Sequence, residues 1–135
     1  GANIDYHEEP VGHLGFMCDD DLPHCGKNLV KRMMTHFFTT INDSTDVDWE
    51  EKGILRHFWQ PYYVDTFLWK QQFSPLGYVF YPKQCYDGTT QCKLHIHLHG
   101  CLNSVRVLTS VWNSPQNYFY EFAVANDMIV VFPDI

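Results

Sequence analysis

One run constrains this chain more than any other: Lys93-Leu94-His95-Ile96-His97-Leu98-His99-Gly100-Cys101-Leu102. Apolar side chains and imidazoles alternate in it without a break. A period of two is the mark of a β-strand, so Leu94, Ile96 and Leu98 share one face and His95, His97 and His99 the other. Gly100-Cys101 then ends the strand abruptly.

The flanks extend this into an α/β pattern. Gly77 to Tyr81 reads as a strand that Pro82 ends. Asp87-Gly88 marks a turn between Cys85 and Cys92. After a loop from Asn103 to Asn113, Ser114-Pro115 supplies an N-cap and a first helical residue for a helix to about Asn126. Met128 to Phe132 is wholly apolar, as in a parallel strand buried on both faces. Because the chain stops just after it, the expectation is a piece of a larger domain.

The first half is less periodic. Ala2 to Tyr6 reads as a short strand, followed by a loop holding Gly12-His13-Leu14-Gly15. From Gly26 to Phe38, the residues Leu29, Val30, Met33, Met34, Phe37 and Phe38 recur at helical spacing, with Lys27, Lys31 and Arg32 facing outward. Thr39 to Glu51 is a polar, acidic loop, Ile54 to Trp59 a strand, and Pro61 to Phe73 irregular and rich in aromatics.

Composition removes some functions. The net charge is −7 with no basic run, which speaks against nucleic acid, since phosphate binding needs clustered Lys and Arg. No apolar run approaches the roughly 18 residues of a membrane span. No signal peptide stands at Gly1, so a secreted protein would be met here already processed. Cys18 with Cys25, and Cys85 with Cys92, each enclose a short polar loop that a disulfide could close, which favours an oxidising, extracellular setting. Their spacing is too wide for a zinc CxxC. Cys101 is left over, and Asn42-Asp43-Ser44 is a glycosylation sequon.

The residues from Gly77 to Pro82, then Cys85, then Cys92 through Cys101, resemble the extracellular polyhydroxybutyrate depolymerases and their esterase relatives. Asn117 through Pro133 looks like the helix and strand after the His-Gly-Cys turn in that family. Pro10-Val11-Gly12-His13-Leu14-Gly15-Phe16 looks like the catalytic-histidine loop of its circularly permuted branch, without the usual Glu before the histidine and Pro-Thr after the phenylalanine. Cys25-Gly26, Gly53-Ile54-Leu55 and Phe58-Trp59-Gln60 are similar to the segments C-terminal to that loop in the same branch.

The resemblance implies an α/β fold: a partial α/β-hydrolase with a mainly parallel sheet flanked by helices, in circularly permuted order. Residues 1–135 form a single partial domain, with 1–52 as histidine-loop and helix segment and 53–135 as the oxyanion-strand half. Lys93–His99 should be an interior strand parallel to Met128–Phe132, with the intervening helix crossing one face. The implied activity is that of a secreted serine esterase on a polyester or small ester. His13 would be the general base, and the Cys101 backbone N–H one oxyanion donor. The two would converge at one end of the sheet. No Gly-x-Ser-x-Gly occurs in the chain. The implied partner is therefore the remainder of the same hydrolase domain, bearing the serine and the aspartate. No cofactor or metal is implied.

Two other readings stand beside this one. His95, His97 and His99 share a strand face, and His-x-His on a strand can bind zinc. Alternatively they pack beneath a helix and hydrogen-bond to neighbours. The scaffold could also be a non-catalytic binding protein, with Phe58 to Tyr63 lining a polyester or glycan surface, although core is the commoner fate of such aromatics. Asp5, Asp19, Asp20, Asp21 and Asp134 are triad carboxylates by residue type only.

Overall fold

The structure is a computed structural model, and it describes residues 26–43, 47–63, 74–99 and 115–134. The chain order is α1 (Gly26–Phe37), α2 (Trp49–Lys52), β1 (Gly53–Trp59), a 3-10 turn (Gln60–Tyr63), β2 (Leu76–Pro82), α3 (Lys83–Tyr86), β3 (Lys93–Ile96), α4 (Pro115–Ala125) and β4 (Met128–Phe132).

The strands form one 4-stranded sheet in the order β1-β2-β4-β3. β1 runs antiparallel to β2, and β2 antiparallel to β4. β3 and β4 are parallel, Lys93 opposite Met128 and Ile96 opposite Val131. The expected β3–α4–β4 unit is therefore present. A parallel pair needs a crossover, and α4 provides it. The expectation of a mainly parallel sheet is corrected, because β2 runs against both of its neighbours. Lys93–His99 also does not run its full length as an interior strand. The ladder ends at Ile96, and among the described residues β3 is paired only with β4, at the sheet's end.

Helices α1 and α4 sit on one face of the sheet. Val30 and Met34 from α1, Phe119, Phe122 and Ala123 from α4, and Phe80, Met128, Val130 and Phe132 from the strands make the core. Phe80 stacks on Tyr120 with ring centroids 4.4 Å apart, and Trp49 lies 4.9 Å from Tyr120. A Cβ on Gly53 would stand 2.1 Å from the Phe80 ring, so the start of β1 requires glycine. Asp48 caps α2, accepting from the Glu51 N–H at 3.0 Å, so the acidic loop already becomes helical at Trp49. Phe37, placed by its spacing on the buried stripe of α1, is instead exposed, at the helix's last turn.

The face choice of β3 and β4 is the informative result. Met128, Val130 and Phe132 are buried while Ile129 and Val131 are only half-buried, so β4 is not enclosed equally on both sides. Across the register, His95 lies beside Val130 on the helix-covered face. Leu94 and Ile96 lie on the other face, 59% and 56% exposed. The imidazoles face in and the leucine–isoleucine row faces out.

The expected Cys85–Cys92 disulfide is present, closing the loop that turns through Gly88 at φ +72°. Asp87 accepts from the Thr89 N–H at 3.0 Å, which shapes that turn and lowers the Asp87 carboxyl below its usual range. Cys18, Cys25 and Cys101 lie outside the described residues, as does the expected strand Ala2–Tyr6.

Candidate active site

The parallel pair β3–β4 defines a carboxyl end, where binding sites of open α/β sheets form. His97, just past β3, still donates its backbone N–H to the Val131 carbonyl at 2.8 Å. His99 has passed beyond the ladder. Its Nε2 lies 3.2 Å from Oδ1 of Asp134, with the two side chains 6% and 3% exposed. Asp134 is thus given a partner that nothing in its sequence context announced.

Gln60 holds Asp134 in turn. Its Nε2 donates to the Asp134 carbonyl at 2.7 Å and to the Ser74 carbonyl at 2.6 Å. Its Oε1 accepts from the Asp134 N–H at 3.0 Å. The Ser74 N–H also donates to the Asp134 carbonyl, at 3.0 Å. Gln60 follows β1, Ser74 precedes β2, Asp134 follows β4 and His99 follows β3, so all four strands contribute to one buried polar cluster. Gly77 walls it, since a Cβ there would stand 2.7 Å from Gln60 Oε1. Sequence reasoning missed Gln60. A buried carboxamide has no periodic signature, and its main partner is 74 positions away.

The other two histidines of the row, His95 and His97, are packed. His95 stacks on Phe119, centroids 5.7 Å apart, and its Nε2 is buried with no hydrogen-bond partner. Desolvation lowers its pKa. His97 lies 4.5 Å from Phe119 and 5.8 Å from Phe132. Burial, then repulsion from His95 and His99, brings its pKa down to about 4. Each of the three imidazoles is therefore committed to an aromatic ring or a carboxylate. Among the described residues no group of three or more His, Cys, Asp or Glu is placed to hold a metal ion. His95 and His97 pack against Phe119 of α4, as the packed reading expects, whereas His99 pairs with Asp134 and His95 Nε2 lacks the hydrogen bond that reading called for.

Asn42 is exposed, yet it is tied to the turn after α4. Asn126 Oδ1 accepts from the Asn42 N–H at 2.6 Å, and Asn42 Nδ2 donates to the Ala125 carbonyl at 3.2 Å. His13 and Cys101, the expected base and oxyanion donor, lie outside the described residues, and so does their expected convergence. His99, immediately before Gly100-Cys101, is described, and it stands at the carboxyl end of the parallel pair.

A mixed four-stranded sheet with helices on one face and a parallel β3–α4–β4 unit is the fold found in part of the solved polyhydroxybutyrate depolymerases. The crystal structure of the enzyme from Penicillium funiculosum matches 82% of this chain with a TM-score of 0.63 at 24% identity. A depolymerase variant complexed with an R3HB trimer matches 83% with a TM-score of 0.62, also at 24% identity.

In sequence, the chain is 39% identical over 57 residues to a polyhydroxybutyrate depolymerase of Talaromyces funiculosus, 42% of this chain and 16% of that protein. It is 22% identical over 144 aligned positions to a poly(3-hydroxybutyrate) depolymerase of Delftia acidovorans, 98% of this chain and 28% of that protein. No family model matches. The chain spans 33% and 34% of the two solved chains, and less of the curated relatives. No helix among the described residues is long and apolar enough to cross a membrane.

Proposed function

We propose that this chain is a segment of a secreted serine esterase that hydrolyses polyester bonds of the hydroxybutyrate kind, in circularly permuted α/β-hydrolase order. The observation that carries the reading is the parallel β3–α4–β4 unit, whose β3 runs into His99-Gly100-Cys101, in a fold shared with solved depolymerases. The 57-residue match at 39% identity points to the same chemistry.

In this reading the whole segment, 1–135, is one partial domain. His13 takes the proton of a serine hydroxyl supplied by the rest of the domain, and the serine oxygen attacks the ester carbonyl carbon. The Cys101 N–H receives the developing oxyanion. Collapse expels the alcohol, which takes the proton from His13, and water repeats the sequence to release the acid. Two surface features support the reading. Leu94 and Ile96 present an exposed apolar face to which the remainder of the hydrolase domain would pack. Trp59, Tyr62 and Tyr63 stand exposed beside Gln60, at the same end as His99, where a polyester chain would lie.

The test uses the native protein that carries this chain. A fluorophosphonate should label one serine stoichiometrically, polyhydroxybutyrate film should release soluble hydroxybutyrate, and His13→Ala should lower kcat by about 10³-fold or more. Absence of both labelling and ester hydrolysis in the native protein would defeat the esterase reading and leave a binding scaffold.

A further inference from the structure

We infer that the side chains of β3 do not choose its register against β4 and that the Cys85–Cys92 disulfide does: with the bridge closed His99 meets Asp134, and once a dithiol opens the bridge β3 slips two residues back along β4. The inference does not depend on the esterase reading.

The strand repeats itself. From Leu94 to His99 it reads Leu-His-Ile-His-Leu-His, so a shift of two residues returns every side chain to its own face. In the register seen, Leu94, His95 and Ile96 stand opposite Ile129, Val130 and Val131. Two residues back, Ile96, His97 and Leu98 stand there instead: isoleucine for leucine, histidine for histidine, leucine for isoleucine. The outer face is indifferent to the change, since Leu94, Ile96 and Leu98 are all exposed to a similar degree. The covered face is nearly as indifferent. His95 is held by its ring, with Phe119 and Phe37 centroids 5.7 and 6.3 Å away, and its Nε2 makes no hydrogen bond that a slip would break. His97 brings an identical ring to the same place. The Lys93 N–H donates to the Asp127 carbonyl at 2.8 Å, a backbone bond that the His95 N–H makes equally well after the slip. Lys93 Nζ also donates to the Asn126 carbonyl, at 3.3 Å, a long contact that a flexible side chain gives up at little cost.

What tells the two registers apart lies at the ends of β3. At the carboxyl side it is His99, whose Nε2 is 3.2 Å from Asp134 Oδ1 and which falls two residues short of it after the slip. At the amino end it is Cys92, the residue before β3, bridged to Cys85 at a Cα separation of 6.0 Å. Bridged cysteines keep their Cα atoms about 4.4–6.8 Å apart. A two-residue slip carries Cys92 about 6.6 Å along the strand, far more than that window allows. The chain between the two cysteines is no restraint by itself, because seven residues extend to about 24 Å. Sheet order adds to the effect of the bridge. β2 and β3 flank β4, and Cys85 lies in α3 directly after β2. The bridge therefore ties β3, which among the described residues pairs only with β4, to the strand on β4's far side. A dithiol that opens it takes up the sulfur–sulfur link as its own ring disulfide and passes one proton each to Cys85 and Cys92. Two electrons move, and no other bond changes.

Introduced cysteines read the register in the native protein that carries this chain. Ile96→Cys with Val131→Cys reports the register seen, because the two residues face each other. Leu98→Cys with Val131→Cys reports the slipped one, because in the register seen that pair is about 8 Å apart, beyond disulfide reach. Each pair is oxidised with and without Cys85→Ser and Cys92→Ser, and the bridges are mapped by mass spectrometry. With Cys85–Cys92 intact, the bridge from 96 to 131 should form and that from 98 to 131 should stay about tenfold or more below it. In the serine background the second bridge should rise to within about threefold of the first. Adding Asp134→Ala there, which removes the restraint at the other end, should make it the major product. A bridge from 98 to 131 that stays about tenfold lower in the serine background overturns the inference. Should the serine pair fail to fold, the unsubstituted protein treated with dithiothreitol decides by hydrogen exchange. The Lys93 amide should lose about tenfold or more in protection, while the His97 amide, passing from the Val131 to the Ile129 carbonyl, keeps its own. Protection unchanged at Lys93, or lost at both amides together as β3 melts, overturns it.

Discussion

At the amino ends of β3 and β4 the buried carboxamide of Asn126 holds Asn42; at the carboxyl ends the buried carboxamide of Gln60 holds Asp134. The local chemistry is nearly the same. Asn126 Oδ1 accepts from the Asn42 N–H at 2.6 Å and its Nδ2 donates to the Asn42 carbonyl at 3.0 Å, while Gln60 grips both backbone groups of Asp134. In each case one side-chain amide imitates a strand partner for a segment that no strand reaches.

The surroundings separate the two ends. At the amino end the clamp is followed by neutral or exposed contacts. The Lys93 N–H donates to the Asp127 carbonyl at 2.8 Å, Gln84 donates to Asp127 Oδ1 at 2.8 Å, and Asp127 takes a positive φ of 50° that a short polar residue tolerates. The Cys85–Cys92 disulfide lies on the same side, past the end of β2. At the carboxyl end the clamp continues into a buried ionisable pair, His99 with Asp134, and into the row of His97 and His95 beneath Phe119. One end is built around a neutral carboxamide and its backbone partners. The other continues into a buried His–Asp pair and two packed imidazoles. Under the proposed esterase reading, one end would only close the fold and the other would also serve chemistry.

The largest effect should come from breaking the amino-end clamp. Asn126→Ala removes the bonds to Asn42 and also one to the Phe122 carbonyl at 2.9 Å. Buried groups left without partners cost about 1–3 kcal/mol each, partly offset by water and relaxation. The expected loss is about 3 kcal/mol in urea denaturation, with kcat per folded molecule unchanged. A matching fall in kcat would abolish the functional distinction between the two ends.

Acid should act on the opposite end. Burial holds the folded-state pKa of His97 at about 4, below the unfolded value near 6.5, and lowers that of His95 in the same direction. Above pH 6.5 neither folded nor unfolded chain binds the proton, so the stability is intact. As pH falls from 6.5 toward about 4 the unfolded chain takes the proton first, and stability is lost through that window, on the order of 3 kcal/mol from His97. His97→Gln should flatten that slope. Hydrogen exchange gives the spatial version: between about pH 7 and about pH 4.5, a span that covers this window, the amides of Asp134 and Ser74 should lose protection before those of Asn42 and Lys93. Simultaneous loss at both ends would show that the contrast has no energetic content.

Much of this architecture is legible in the sequence, and the limits have physical causes. The β3–α4–β4 order, the α1 stripe through Val30 and Met34, and the Cys85–Cys92 pairing rest on local periodicity and short spacing, and the structure contains all three. Alternation in β3 identifies two faces but cannot say which is covered. Period two is symmetric, and the outcome is set by Phe119 of α4, which stacks on histidines rather than on Leu94 or Ile96. The mixed sheet escapes sequence reasoning because pairing direction depends on where β1 and β2 dock, which strand propensity does not encode. Asp134 and Gln60 are invisible as a pair because their meeting depends on the finished sheet.

The smallest predicted effect probes the inside of the amino-end clamp. Asn42 engages it with three groups of unequal weight: its N–H and carbonyl meet Asn126, and its side-chain amide meets the Ala125 carbonyl at the longer distance of 3.2 Å. Asn42→Ala removes only the last, which is exposed and which water can replace, so the cost should be about 0.5 kcal/mol. Asn126→Ala, the other half of the same contact, should cost several times more, because the side chain it removes serves the backbone of Asn42 while the Asn42 side chain serves little. The same asymmetry bears on the Asn42-Asp43-Ser44 sequon, since a sugar on Nδ2 would disturb the weak bond and leave the two backbone bonds in place. Glycosylated and enzymatically deglycosylated protein should then unfold within about 0.5 kcal/mol of each other. A difference as large as that of Asn126→Ala would mean that the Asn42 side chain, not its backbone, is what the clamp holds.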